Sequence, residues 1–150
     1  MIYNRTEEDV KNALEIRKNV IQQGQEPTDE QREILERGML TINTLNRIEN
    51  KQSELSKLIL SMGYRHKKII NKEWSVDDIF FDADLERIIN NSKILKDAFF
   101  SYFDTPQPPQ AEYYYTTFND LEKILADIES LKGDVLKFYN FCGTIECGEI

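Results

Sequence analysis

The side chains able to do chemistry are few and scattered. The only histidine, His66, lies among Arg65, Lys67 and Lys68. A catalytic base or metal ligand needs a partner carboxylate or further ligands, and the local sequence supplies neither. The expectation is a basic turn in water, able to meet an acidic neighbour in an assembly. The two cysteines, Cys142 and Cys147, are spaced C-x4-C. With one distant histidine they do not complete the four ligands of a structural zinc site, and the C-x-x-C of a redox site is missing. Free, partly buried thiols are expected; a bond across a hairpin stays open if the Cα atoms come within ~7 Å.

The densest acidic cluster is Asp77, Asp78, Asp82, Asp84 and Glu86. It lacks the alternating oxygens, central glycine and closing glutamate of a calcium loop. Carboxylates at helix starts are favoured by the helix dipole, which accounts for them without a metal. No G-x-S-x-G, Walker-type or G-x-G-x-x-G sequence occurs. The reading therefore assigns no catalytic, cofactor-binding or metal-binding residue, and an enzyme is not expected.

More informative are short signatures set at helix boundaries and turns. They are Tyr3-Asn4-Arg5-Thr6 with Asp9-Val10, Gly38-Met39, Leu45-Asn46-Arg47-Ile48-Glu49, Trp74 with Asp78-Ile79, Asn119 to Leu125, and Cys142-Gly143 with Cys147-Gly148-Glu149. They point to a part that is positioned and packed.

The elements that would position them are helices. Thr6 with Glu7, Glu8 and Asp9 makes a good N-terminus. Val10, Ala13, Leu14, Val20 and Ile21 then form a stripe that ends near Gly24. Thr28 and Gln31 have capping-box spacing and open a short second helix, with Ile34 and Leu35 inward and Gly38 at its end. Leu45, Ile48, Gln52, Leu55, Ile59 and Met62 form a heptad seam with one polar member, closed by Gly63. Packing inside a bundle or pairing with another chain would both use such a seam. Residues 64–81 are a connection in which Ser75 and Asp78 cap a single turn. A fourth helix starts at Asp82 or Asp84, with Leu85, Ile88, Ile89, Leu95, Phe99 and Tyr102 on one face, widened by Ile94, Ala98 and Phe103.

Three prolines between Pro106 and Pro109 must break that helix. They favour an extended strap over Thr105–Gln110, continued by Tyr113, Tyr114 and Tyr115. Thr116 or Thr117 caps the fifth helix, with Phe118, Leu121, Ile124, Leu125, Ile128, Leu131, Val135 and Phe138 inward. The last stretch is rich in aromatics and glycine and suggests a short hairpin. The expected fold is all-α: about five helices over residues 1–140, a proline-rich strap, and a β-like C-terminal hairpin over 141–150.

Bulk properties agree with such a part. The chain has 150 residues, 40% hydrophobic and 31% charged, with a net charge of −8. Its length allows burial of roughly two thirds of the unfolded surface. Nucleic acid is not an expected partner, because neutralising phosphates needs clustered cations. No apolar run approaches the ~20 residues of a membrane span. The polar, acidic start is not that of a signal peptide, so synthesis and retention in the cytosol, or assembly there, is expected.

In their order along the chain, the signatures resemble a poorly characterised family of phage and prophage structural proteins of Gram-positive bacteria, associated with tail, baseplate or fibre modules. The chain departs from that pattern at Thr41-Ile42-Asn43-Thr44, where the family has an aromatic-rich turn, and at Phe80, where it often has proline. The resemblance implies a virion structural protein, a tail or baseplate component or fibre-attachment adaptor. It would be assembled in the host cytoplasm in many copies beside other virion proteins, with no cofactor, membrane or small-molecule substrate. The alternative is a cytosolic regulatory protein that dimerises through the Leu45–Met62 helix.

Overall fold

The computed structural model describes residues 1–142, with side chains through Val135, and every regular element among them is helical. The helices are α1 (Glu7–Asn19), α2 (Asp29–Gly38), α3 (Ile42–Ser61), α4 (Asp82–Ala98) and α5 (Tyr115–Cys142), with a short 3-10 turn at Ile21–Gln23. No described helix is long and apolar enough to cross a membrane.

Local chemistry sets most boundaries. Thr6 and Asp9 form a reciprocal capping box at α1, as Thr28 and Gln31 do at α2, each satisfying amides the helix leaves bare. Thr41 caps α3 through the Thr44 amide at 3.2 Å. Gly63 ends α3 at φ +87, where a left-handed residue is needed, and the Tyr64 amide returns to the Ile59 carbonyl at 3.1 Å.

α3, α4 and α5 form the core and run parallel. Glu49 meets Arg87 and Gln52 meets Ser92, so α3 and α4 point the same way. Arg47 meets Glu122 and Lys51 meets Glu129, so α5 does too. Parallel helices cannot be joined by tight turns. Each link must travel back along the bundle, about 30 Å for a twenty-residue helix, which takes at least about nine extended residues. Residues 62–81 make the first return. His66 lies against Ser56, Asn71 against Glu49 and Trp74 against Asn46. Residues 99–114 make the second. Tyr102 reaches Ser130, Thr105 reaches Asp127 and Tyr113 reaches Asp82. Leu45, Ile48, Leu55, Ile59, Leu85, Ile88, Leu95, Leu121, Ile124, Leu125 and Ile128 are buried between the three helices, with Trp74 covering one edge.

α1 and α2 form an antiparallel hairpin at the N-terminal end of this bundle. Their crossing is too close for a side chain at Gly38, where an added Cβ would lie 2.1 Å from the Asp9 carbonyl oxygen and 2.4 Å from the Ala13 Cβ. Arg37 holds Asp9 across the same crossing at 3.2 Å.

Several expected positions are corrected. Leu14, Ile21 and Ile34 were expected inward but are exposed; a two-helix unit has one shared face, and Ala13 and Leu35 occupy it. Helix α4 stops at Ala98, so Tyr102 and Phe103 are not part of its face, and Phe103 is fully exposed. The Lys96 ammonium on the Pro106 carbonyl (2.7 Å) and the Thr105 hydroxyl on Asp127 (2.7 Å) draw the chain off the helix axis there. Helix α5 begins at Tyr115, before Thr116 and Thr117, which lie in its first turn. It continues through Cys142, so the residues where the hairpin was expected to begin are helical. The remainder of that hairpin, Cys147 and the inward direction of Phe138 lie outside the described residues.

Candidate functional site

The residues singled out for chemistry do not converge. The ring Nδ1 of His66 donates to the Lys67 carbonyl at 2.7 Å and its Nε2 lies 3.2 Å from the Ser56 hydroxyl, which pins the first return segment to α3. Asp78 accepts from the Ser75 amide and hydroxyl and from Lys72 at 2.7 Å. The Lys72 ammonium and the Ser75 donors hold its carboxyl down at about 2. Asp82 accepts from the Tyr113 hydroxyl at 2.5 Å, and this pushes the phenol up to about 12. Asp84 accepts from the Phe81 amide at the start of α4. Asp78, Asp82 and Asp84 thus close a turn, a tether and a helix start, while Asp77 and Glu86 are exposed.

Two other carboxylates organise the molecule. Glu49 lies on the inner face of α3 and is 1% exposed. Its Oε1 accepts from the Trp74 indole and Arg87, both at 2.7 Å. Its Oε2 accepts from Arg87 at 2.7 Å and from the Lys72 amide at 2.6 Å. The same pairing holds the Arg87 guanidinium above its ordinary value. Asn46 grips the Trp74 main chain both ways, accepting from its amide at 2.7 Å and donating to its carbonyl at 2.9 Å. The Lys72 ammonium stands 4.0 Å from the Trp74 ring centroid. Below this clamp the Gln52 amide donates to the Ile88 carbonyl and the Ser92 hydroxyl, both at 2.8 Å, and its oxygen accepts from Asn91.

Glu122, fully buried on α5, forms the second clamp. It accepts from Arg5 at 2.8 Å, from Arg47 at 2.9 Å and from the Ile2 amide. Arg47 also reaches Glu36 on α2, and Asn119 exchanges hydrogen bonds with the Arg5 main chain. The resulting chain of alternating charge, Glu36–Arg47–Glu122–Arg5, joins both feet of the α1–α2 hairpin to α3 and α5. Burying charge is tolerable only when it is paired and hydrogen-bonded, and here each charge is paired, with the Arg47 Nε alone left without a hydrogen-bond acceptor among the described residues.

This arrangement limits the chemistry. A carboxylate offers about four lone-pair sites, and all four of Glu49 are occupied by fixed donors. A general base needs a free lone pair within reach of substrate, so Glu49 holds structure, as does Glu122, which has three donors and is fully buried. The signal that would have found them was readable: Glu49 falls between Leu45, Ile48 and Gln52, and Glu122 between Phe118, Leu121 and Leu125, on the apolar stripes themselves. Their partners, up to 120 positions away, carry no such signal.

Apart from Leu14, Ile21 and Ile34 on the hairpin, with Tyr3 and Leu60, the large apolar side chains open to contact lie on the two return segments. Ile70, Val76, Ile79 and Phe81 on the first, and Phe100, Phe103, Tyr113 and Tyr114 on the second, are all more than a third exposed. Tyr113, Tyr114 and Tyr115 also border a cavity of about 180 Å³ against Arg37, Met39 and Leu40. The chain matches no protein-family model, no curated protein and no solved structure.

Proposed function

We propose that the protein is a phage virion structural part, a tail or baseplate component or fibre-attachment adaptor that acts by protein–protein assembly in many copies. The observation that carries the reading is where the sequence signatures fall. Arg5 comes from the signature Tyr3–Thr6, Arg47 and Glu49 from Leu45–Glu49, Trp74 from the one that it opens, and Asn119 and Glu122 from Asn119–Leu125; with Arg87 they make up most of the two buried clamps. The segments on which the family resemblance rests therefore lock a rigid body. Such a part works by position. Its exposed aromatics, on return segments pinned at several points, give neighbours apolar contact area at low entropic cost. In this reading Thr105–Gln110 is a strap that fastens the second return segment, and many weak contacts become effective through repeated copies. No catalytic step, cofactor, nucleic acid or membrane is assigned to it, and its place is the virion assembled in the host cytoplasm.

The alternative, a cytosolic regulator dimerising through the Leu45–Met62 helix, needs that helix face to be free. Leu45, Ile48, Gln52, Leu55 and Ile59 are buried against the chain's own α4 and α5, so pairing would first have to open the bundle.

Disrupting the coding region in the encoding element tests the proposal. Particles that lack a tail-tip or fibre structure in negative-stain images, restored by complementation and decorated there by antibody, are expected. Complete particles of normal infectivity would overturn it.

A further inference from the structure

A groove of about 380 Å³ lies between the start of the first return segment and the outer face of α4. Its rim carries Arg65, Lys67 and Lys93, with Lys68 adjoining, all exposed. None of the four forms an ion pair among the described residues, whereas Arg5, Arg37, Arg47, Arg87, Lys51, Lys72 and Lys123 all do. In a chain of net charge −8, this is a local concentration of unspent positive charge. Its geometry is fixed, because His66 ties the segment to Ser56 on one side. On the other side the Ile70 main chain is held by Asn91 and Arg87. No helix or strand takes up the backbone between them.

The groove is not purely polar. Ile94 and Ala98 line it and are half-buried. Just past Ala98, the exposed Phe100 stacks edge-on against Tyr64 with ring centroids 5.9 Å apart. Asp97 lies in the same lining.

We propose that this groove binds an acidic, extended peptide segment of a partner protein. Its carboxylates would lie on Arg65, Lys67 and Lys93, and an apolar side chain would rest on Ile94 and Ala98. Carboxylate–cation pairing fixes register, and the apolar contact supplies area that charge alone does not. Asp97 separates this occupant from nucleic acid. A peptide can place an uncharged residue opposite it, while a phosphate backbone carries charge at every step and meets both Asp97 and the surrounding negative field. The inference goes beyond the virion reading and does not depend on it.

The test is fluorescence anisotropy with the purified protein and a short labelled peptide alternating glutamate and leucine. A lysine–leucine peptide, an oligonucleotide of equal charge and inorganic phosphate serve as competitors. Saturable binding of the acidic peptide is expected, weakening as salt rises and displaced poorly by oligonucleotide or phosphate. Lys67→Glu with Lys93→Glu should weaken it about tenfold or more, with the circular dichroism melt unchanged because both side chains are exposed. Ile94→Ser should weaken it while leaving its salt dependence intact. No binding, binding indifferent to the charge reversal, or tighter binding of the oligonucleotide would each overturn the proposal.

Discussion

Arg5 and Glu122 are 117 positions apart in sequence and meet at 2.8 Å with their side chains 3% and 0% exposed. The pair joins the segment before α1 to the N-terminal third of α5. Arg47 shares the same carboxylate, so one buried acid holds cations from two directions.

Removing that acid takes the counter-charge from Arg5 and leaves Arg47 with Glu36 alone. Glu122→Gln should destabilise the fold by about 3–5 kcal/mol, the range for breaking a buried ion pair from one side. Replacing Arg5 by methionine and Glu122 by leucine together should cost less than the two single changes summed. Urea denaturation followed by circular dichroism gives both values.

The Glu49 clamp has a built-in reporter, because Trp74 is the only tryptophan and its indole donates to that carboxylate. Glu49→Ala leaves Arg87 with only the longer pair to Asp84 at 3.4 Å and the Ile70 carbonyl, and frees the indole N–H. A red shift of native emission and a loss of about 3–5 kcal/mol are expected. Unchanged emission would mean that the ring is held by packing alone.

Gln52 is the polar member of the α3 seam, and its amide spans α3 to α4. Gln52→Leu should cost about 1–3 kcal/mol, the penalty for leaving buried polar partners unmet. The mass in solution by light scattering should not change. A shift in oligomeric state would instead favour dimerisation through this helix.

Gly38 occupies the crossing of α1 and α2. Alanine is the better helix former by about 1 kcal/mol, but its Cβ has nowhere to go against the Asp9 carbonyl. Gly38→Ala should destabilise by about 1–3 kcal/mol. Faster hydrogen exchange confined to α1 and α2 would locate the damage.

Asp78 sits at about 2, below its ordinary 3.8, because Lys72 and the Ser75 donors favour the charged form. A depressed folded value means that the turn's contribution is complete above the unfolded value and is lost as pH falls from about 4 toward 2. An NMR titration should place the Asp78 midpoint near the lower figure, and Lys72→Met should raise it toward the ordinary one.

These expectations rest on two kinds of information that the sequence carries unequally. Capping at Thr6 and Thr28, the stop at Gly63 and the inner stripes of α3 and α5 are local, set by residues three or four apart, and were legible. The parallel course of α3, α4 and α5 was not. It depends on which side chains receive the return segments, such as Asn46 for Trp74 and Asp127 for Thr105, across 28 and 22 positions. Leu14, Ile21 and Ile34 have helical periodicity without burial, since periodicity reports a face and not what covers it. The basic run Arg65–Lys68 was visible, but its meeting with Lys93 across a groove was not.

The most direct test of the central claim, that this is a positioned part of a particle, is quantitative mass spectrometry of purified virions from the encoding element, with the protein counted against the tail-tube subunit. A fixed small-integer ratio, unchanged after a salt wash, is predicted. Absence from the particles, with abundance in the lysate, would contradict it.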